Sequence, residues 1–80
     1  MTQHVPGFPR FTLEPNKMGG QACIRGYRFT LDQLLEMLAD GMSSAEIIDA
    51  FPFIEPEDID DALRLAAKTA RRDFYVAISA

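Results

Sequence analysis

"TLDQLLEMLADGMSSAEIIDAFPFIEPEDIDDALRLAA", Thr30 to Ala67, contains three helix starts and two helix stops. Thr30 with Gln33, and Ser43 with Glu46, have the spacing of a capping box, in which two side chains satisfy two orphaned backbone N–H groups reciprocally. Leu31, Leu34, Leu35, Leu38 and Met42 hold one apolar stripe at helical spacing, and Gly41 is placed to end that helix in a left-handed conformation. Ile47, Ile48 and Phe51 give the second helix its buried face before Pro52 stops it. Pro56 suits the first position of a third helix, where its missing N–H has no partner to lose. Ile59, Ala62, Leu63, Ala66, Ala67 and Ala70 are expected to line that helix's inner face. Two short capped helices before a longer one, joined by a glycine turn, predict a trihelical, helix-turn-helix-like (homeodomain-like) bundle over residues 30–72. Its expected core is Leu34, Leu35, Leu38, Ile47, Ile48, Phe51, Ile59 and Leu63.

Working outward, residues 8–29 read as a short β-hairpin, so the fold class is mainly α with a small sheet. "RFTLEP" is rich in strand formers, "PNKMGG" is a turn cluster, and "ACIRGYRF" offers a second strand interrupted by Gly26. A glycine inside a strand pattern marks a bulge or a close backbone approach. Residues 1–7, with Pro6 and Gly7, read as a loose start. At the other end, residues 73–80 change period: Phe74, Val76 and Ile78 alternate with Tyr75, Ala77 and Ser79. That is strand spacing, and the segment is expected to be an interaction tail. A second copy, a different protein or the chain's own hairpin would complete it, unless the segment extends the third helix.

Eighty residues support one domain, and 48% hydrophobic residues suffice for a core but leave little for a deep cleft. No apolar run approaches the ~20 residues of a membrane span. "MTQHVPGFPR" has neither the basic region nor the apolar core of a signal peptide, so the cytoplasm is the expected compartment. A lone Cys23 and a lone His4 offer no intrachain disulfide, no zinc cluster and no activated nucleophile. The acids around Pro56 lack the glycine-centred loop of a calcium hand. No catalytic residue, metal or cofactor is expected.

Charge is strongly segregated. Residues 1–28 sum to +3, residues 29–61 contain ten carboxylates and no Lys or Arg, and residues 62–80 return to +3. The start of the third helix, which in helix-turn-helix proteins reads the major groove, is "EPEDIDDA", with five carboxylates within residues 55–61. Phosphate attraction supplies much of DNA affinity, so that end should repel DNA. Nucleic acid would have to be held by the basic hairpin, Arg10, Lys17, Arg25 and Arg28, or by the stripe Arg64, Lys68, Arg71 and Arg72. Arg25 and Arg28 equally suit pairing with carboxylates of the acidic helices, because the planar guanidinium matches a carboxylate.

Read in order, "MGGQACIRGYRFTLDQLLEMLADGMSSAEIIDAFPFIEPEDIDDALRLAA" resembles the domain-of-unknown-function 433 family, whose pattern runs GGKPCIRGTRI, helix, GMS-x-EEI, YP-x-L-T-PEDI. The resemblance covers Met18 to Ala67. It implies a helix-turn-helix-type domain behind a strand pair, and for some members a role as antitoxin to a PIN-like ribonuclease toxin in bacterial toxin–antitoxin pairs. Gln21-Ala22 and Glu55 depart from the pattern, removing a positive charge and adding a negative one.

Two functions of different class follow as expectations. The first is a non-catalytic antitoxin that binds and neutralises a PIN-like toxin through Arg71, Arg72, Phe74, Tyr75, Val76 and Ile78, with autoregulatory binding of its operator DNA as an optional second role. The second is a DNA-binding transcriptional regulator with no toxin partner. A small homodimer of undefined role is the plain alternative to both.

Overall fold

The computed structural model describes the backbone of residues 2–79 and the side chains of residues 2–71. Three antiparallel strands, β1 (Gln3–Val5), β2 (Phe8–Leu13) and β3 (Cys23–Ile24), lie in the order β1-β2-β3. They precede α1 (Leu31–Ala39), α2 (Ser44–Ala50) and α3 (Pro56–Ser79), so the chain is a small sheet followed by a trihelical bundle.

The sheet differs from expectation at both ends. The first residues are not loose: Gln3 pairs with Leu13, His4 with Thr12, and Val5 with Phe8 across the Pro6-Gly7 turn. Gly7 sits at φ +82°, a conformation only glycine adopts without strain, while Val5 and Phe8 pack against the core. The apolar residues flanking Pro-Gly were the sign of a hairpin. β3, in turn, stops after two residues. Arg25 (φ +43°) and Gly26 (φ +80°) turn the chain out of the ladder. The Tyr27 N–H donates to the Ile24 carbonyl (2.8 Å) and the Ile24 N–H to the Phe29 carbonyl (2.9 Å). Arg25–Arg28 is therefore a tight turn that delivers Thr30 to the start of α1.

Both capping boxes form. The Thr30 hydroxyl accepts from the Gln33 N–H (3.0 Å), and the Gln33 side chain accepts from the Thr30 N–H (2.8 Å). Ser43 and Glu46 repeat the exchange at α2, and Gly41 turns the chain between the helices at φ +93°.

The core joins Phe11 and Ile24 of the sheet and Phe29 to Leu34, Ile47, Ile54, Ile59, Ala62 and Leu65 of the helical half. Of the expected core, Leu34, Ile47 and Ile59 are buried, and Leu38, Ile48 and Phe51 pack half-buried against them. Leu35 is half-buried as well. Leu63 is the correction: it is 49% exposed, and Leu65 is buried in its place. The reason is Asp58, which is fully buried. Once Asp58 faces inward, Ala62 and Leu65 follow it at i+4 and i+7, and Leu63, Ala67 and Ala70 turn outward.

α3 also outruns its expected end at residue 72, continuing to Ser79. Nothing after Pro56 breaks a helix, for the segment holds no further Gly or Pro, and an apolar pair such as Phe74 and Ile78 fits i,i+4 as well as alternation. The strand reading is thus replaced by helix over residues 73–79, and residue 80 lies outside the described residues. The side chains of Arg72, Phe74, Tyr75, Val76 and Ile78 lie outside the described residues. Among the described residues no helix is long and apolar enough to cross a membrane.

Candidate functional site: a sealed helix start and an exposed helix arm

The hairpin arginines converge on the first turn of α3. Arg10, from β2, places Nη1 2.6 Å from Glu55 Oε1 and 3.0 Å from Asp58 Oδ1. Arg25 approaches the same Asp58 from the following turn, with Nε 3.2 Å from Oδ1 and Nη2 3.0 Å from Oδ2, and also donates to the Phe53 carbonyl. The Glu55 N–H completes the set, donating to Asp58 Oδ2 at 2.8 Å. Asp58 thereby supplies half of a capping box in which Glu55 occupies the cap position.

These contacts explain how a carboxylate is buried without loss. Removal from water pushes the Asp58 carboxyl up, but the Arg25, Glu55 N–H and Arg10 hydrogen bonds together outweigh that and hold it below its usual value. Arg10 is raised chiefly by Glu55 and then Asp58, and Arg25 chiefly by Asp58, so both remain charged. Arg25's left-handed backbone, which costs roughly 1–2 kcal/mol in a non-glycine residue, is what aims its guanidinium at the helix.

The remaining hairpin cations behave differently from each other. Lys17 bonds Glu14 (3.0 Å) and the Gly26 carbonyl. Arg28 is exposed and has no ion pair or side-chain hydrogen bond among the described residues. It lines an open depression with Lys17, Asn16 and Tyr27, and Tyr27 stacks on Phe53 with centroids 4.3 Å apart. Of the four residues expected to touch nucleic acid, three are engaged inside the fold and only Arg28 is not. The expected pairing of Arg25 and Arg28 with helix acids holds for Arg25 and not, among the described residues, for Arg28; Arg10 is the second clamp and Asp58 the target, neither of them marked as such by the sequence. The sign available was the apolar Ile54 and Ile59 flanking "EPED".

The other end of α3 is the reverse. Residues 67–71 are all exposed, and five successive helical residues cover the whole circumference at 3.6 per turn. From Ala67 to Arg71 the helix is thus exposed around its circumference, with Lys68 reaching back toward the sheet. Arg64, Lys68 and Arg71 stand on this stretch. Arg64 approaches Asp61, three residues before it, at 3.4 Å, and Lys68 lies 5.8 Å from the Phe8 ring centre. No trio of His, Cys, Asp or Glu able to hold a metal occurs among the described residues.

A three-stranded sheet clamped by two arginines onto the last helix of a trihelical bundle defines a small helix-turn-helix-like domain whose third helix starts sealed against the sheet. The chain belongs to the family described as "Protein of unknown function (DUF433)", whose pattern it matches over residues 12–66. No curated protein and no solved structure matches it significantly.

Proposed function

We propose that the protein is a non-catalytic, antitoxin-like interaction protein that binds and neutralises a PIN-like ribonuclease toxin through the far half of α3. The toxin comes from the family resemblance. The observation that carries the choice of surface is the contrast along α3, whose acidic start is sealed by Arg10 and Arg25 while its basic continuation is exposed. An exposed helix surface carrying basic residues, continued in sequence by Phe74, Val76 and Ile78, suits uptake by a partner's groove, the common helix-in-groove mode. Clustered cations on that face steer encounter with an acidic surface.

The test is co-expression with the adjacent PIN-like reading frame, followed by co-purification and assay of RNA cleavage. The two proteins should purify together, and cleavage should be suppressed. Phe74→Ala with Ile78→Ala should release the toxin while leaving the chain's helical signal unchanged. A toxin that binds the double variant as well as the native chain overturns the choice of surface.

Arg28 supports a second reading, DNA-binding regulation, because it is the one hairpin cation left outward. Binding through it would be weak and salt-sensitive, and Arg28→Ala would lower the salt slope by about one. Tight, sequence-specific binding lost on changing Glu57 or Asp60 would instead favour groove reading by the start of α3.

A further inference from the structure

We propose that the cationic stripe on the exposed stretch of α3 docks on the carboxylate stripe of α1 in a second copy of this chain, giving a salt-sensitive homodimer. Asp32 and Glu36 lie at i and i+4 of α1, about 6 Å apart along the helix at 1.5 Å per residue, and Asp40 follows at i+8 as its C-cap residue. All three are exposed, and none has an ion pair among the described residues. On α3, Arg64, Lys68 and Arg71 repeat nearly the same spacing with the opposite sign, also exposed. Each stripe carries apolar or small residues between its charges. Leu35 and Ala39 lie beside the α1 acids, and Leu63 and Ala67 beside the α3 cations. Small residues there let two helices approach within the usual 8–10 Å.

Other arrangements fit less well. Pairing α3 with α3 of another copy would bring Arg64, Lys68 and Arg71 against their own kind, and like charges at contact oppose association. Within one chain the stripe meets little opposite charge: Lys68 lies over the Phe8 ring and Arg64 approaches only Asp61 of its own helix, at 3.4 Å. A second copy supplies the acidic stripe while offering its own basic one, and a twofold axis satisfies both contacts at once. Half-exposed Leu63 is covered in the same step. The contact ends near Arg71, where the proposed toxin-binding face begins, and it stands whether or not a toxin partner exists.

Sedimentation equilibrium on the purified chain alone tests this. At low ionic strength the particle should have the mass of two chains. It should fall to one near 1 M salt, where the screening length is about 3 Å. Lys68→Glu with Arg71→Glu, and separately Glu36→Lys with Asp40→Lys, should each give a one-chain particle. Mixed in equal amounts, the two variants should regain the two-chain mass, since the acidic pair at 68 and 71 of one variant then faces the basic pair at 36 and 40 of the other. A native chain that is monomeric at low salt overturns the proposal, as does a dimer indifferent to salt. So does a Glu36→Lys, Asp40→Lys variant that remains dimeric, because α3–α3 pairing would not feel those changes.

Discussion

The two halves of α3 meet the same problem, charge on a helix that must be partly covered, and solve it oppositely. In its first turn one acid of the cluster, Asp58, faces inward, and the sheet and the turn after it supply the cations that make this tolerable. Beyond Leu65 a basic cluster faces outward on a stretch exposed on every side. The first arrangement locks the hairpin to the bundle; the second leaves charge available for a partner. Net charge, −4 for the chain, describes neither, because the surface that matters is what remains after internal pairing.

The sharpest way to break this comparison is to remove the buried acid. Asp58→Ala would leave Arg10 and Arg25 pointing into a site without a carboxylate and would orphan the Glu55 N–H. Losing one member of a buried, hydrogen-bonded ion cluster costs ~3–5 kcal/mol, a large share of a small domain's stability. Urea unfolding should show the midpoint falling accordingly. A loss below ~1 kcal/mol, typical of exposed pairs, would mean that the sheet is not anchored through this residue.

Acid titration sharpens it further. The Asp58 carboxyl is held below its ordinary 3.8 in the folded chain. The unfolded chain therefore takes up its proton first as pH falls. The stabilisation is complete above the ordinary carboxylate range and is lost as pH drops from about 4 through the folded value. Stability measured by urea between pH 6 and pH 2 (a window of about that width spans the range) should decline most steeply at the acid end. Asp58→Asn, weaker at neutral pH, should show a shallower decline, with half-buried Glu14 and exposed Glu46, both also held below their ordinary values by Lys17 and by Ser43, contributing what remains. An unchanged acid slope in that variant would assign the acid sensitivity to other carboxylates.

What the sequence made legible is what is local. Thr30-Gln33 and Ser43-Glu46 announce their helices because both members of a capping box lie within four residues and depend on nothing distant. The stripe through Leu34 fixes the buried side of α1 for the same reason. The phase of α3 was hidden, because it is set by Arg10 and Arg25, respectively 48 and 33 residues before Asp58. Judged by hydrophobicity alone, Leu63 should be inside and Asp58 outside. Only the long-range charge cluster reverses that order. β1 was missed on similar grounds: three residues carry no period, and the turn between Val5 and Phe8 was the only sign. The candidate site was half visible, with the right arginines in view but their partner hidden among five carboxylates that look alike in sequence.

The smallest expected effect gives the finest test of that reversal. Leu63 and Leu65 are two positions apart on α3, equal in composition and opposite in environment, 49% and 8% exposed. Truncating a buried leucine to alanine costs ~2–5 kcal/mol through lost burial and the cavity left behind. The same change on an exposed helix position stays within about 0.5 kcal/mol, since alanine is itself a good helix former. Leu65→Ala should therefore lower the thermal midpoint by many degrees, and Leu63→Ala should leave it almost unmoved when measured on the monomer at high salt. At low salt Leu63→Ala should weaken self-association, because that is where its side chain is covered. If Leu63→Ala proves as damaging as Leu65→Ala in the monomer, α3 is rotated so that its alanine face packs inward. Asp58 would then lie outside the arginine clamp, and the contrast between the two halves of the helix would fail at its origin.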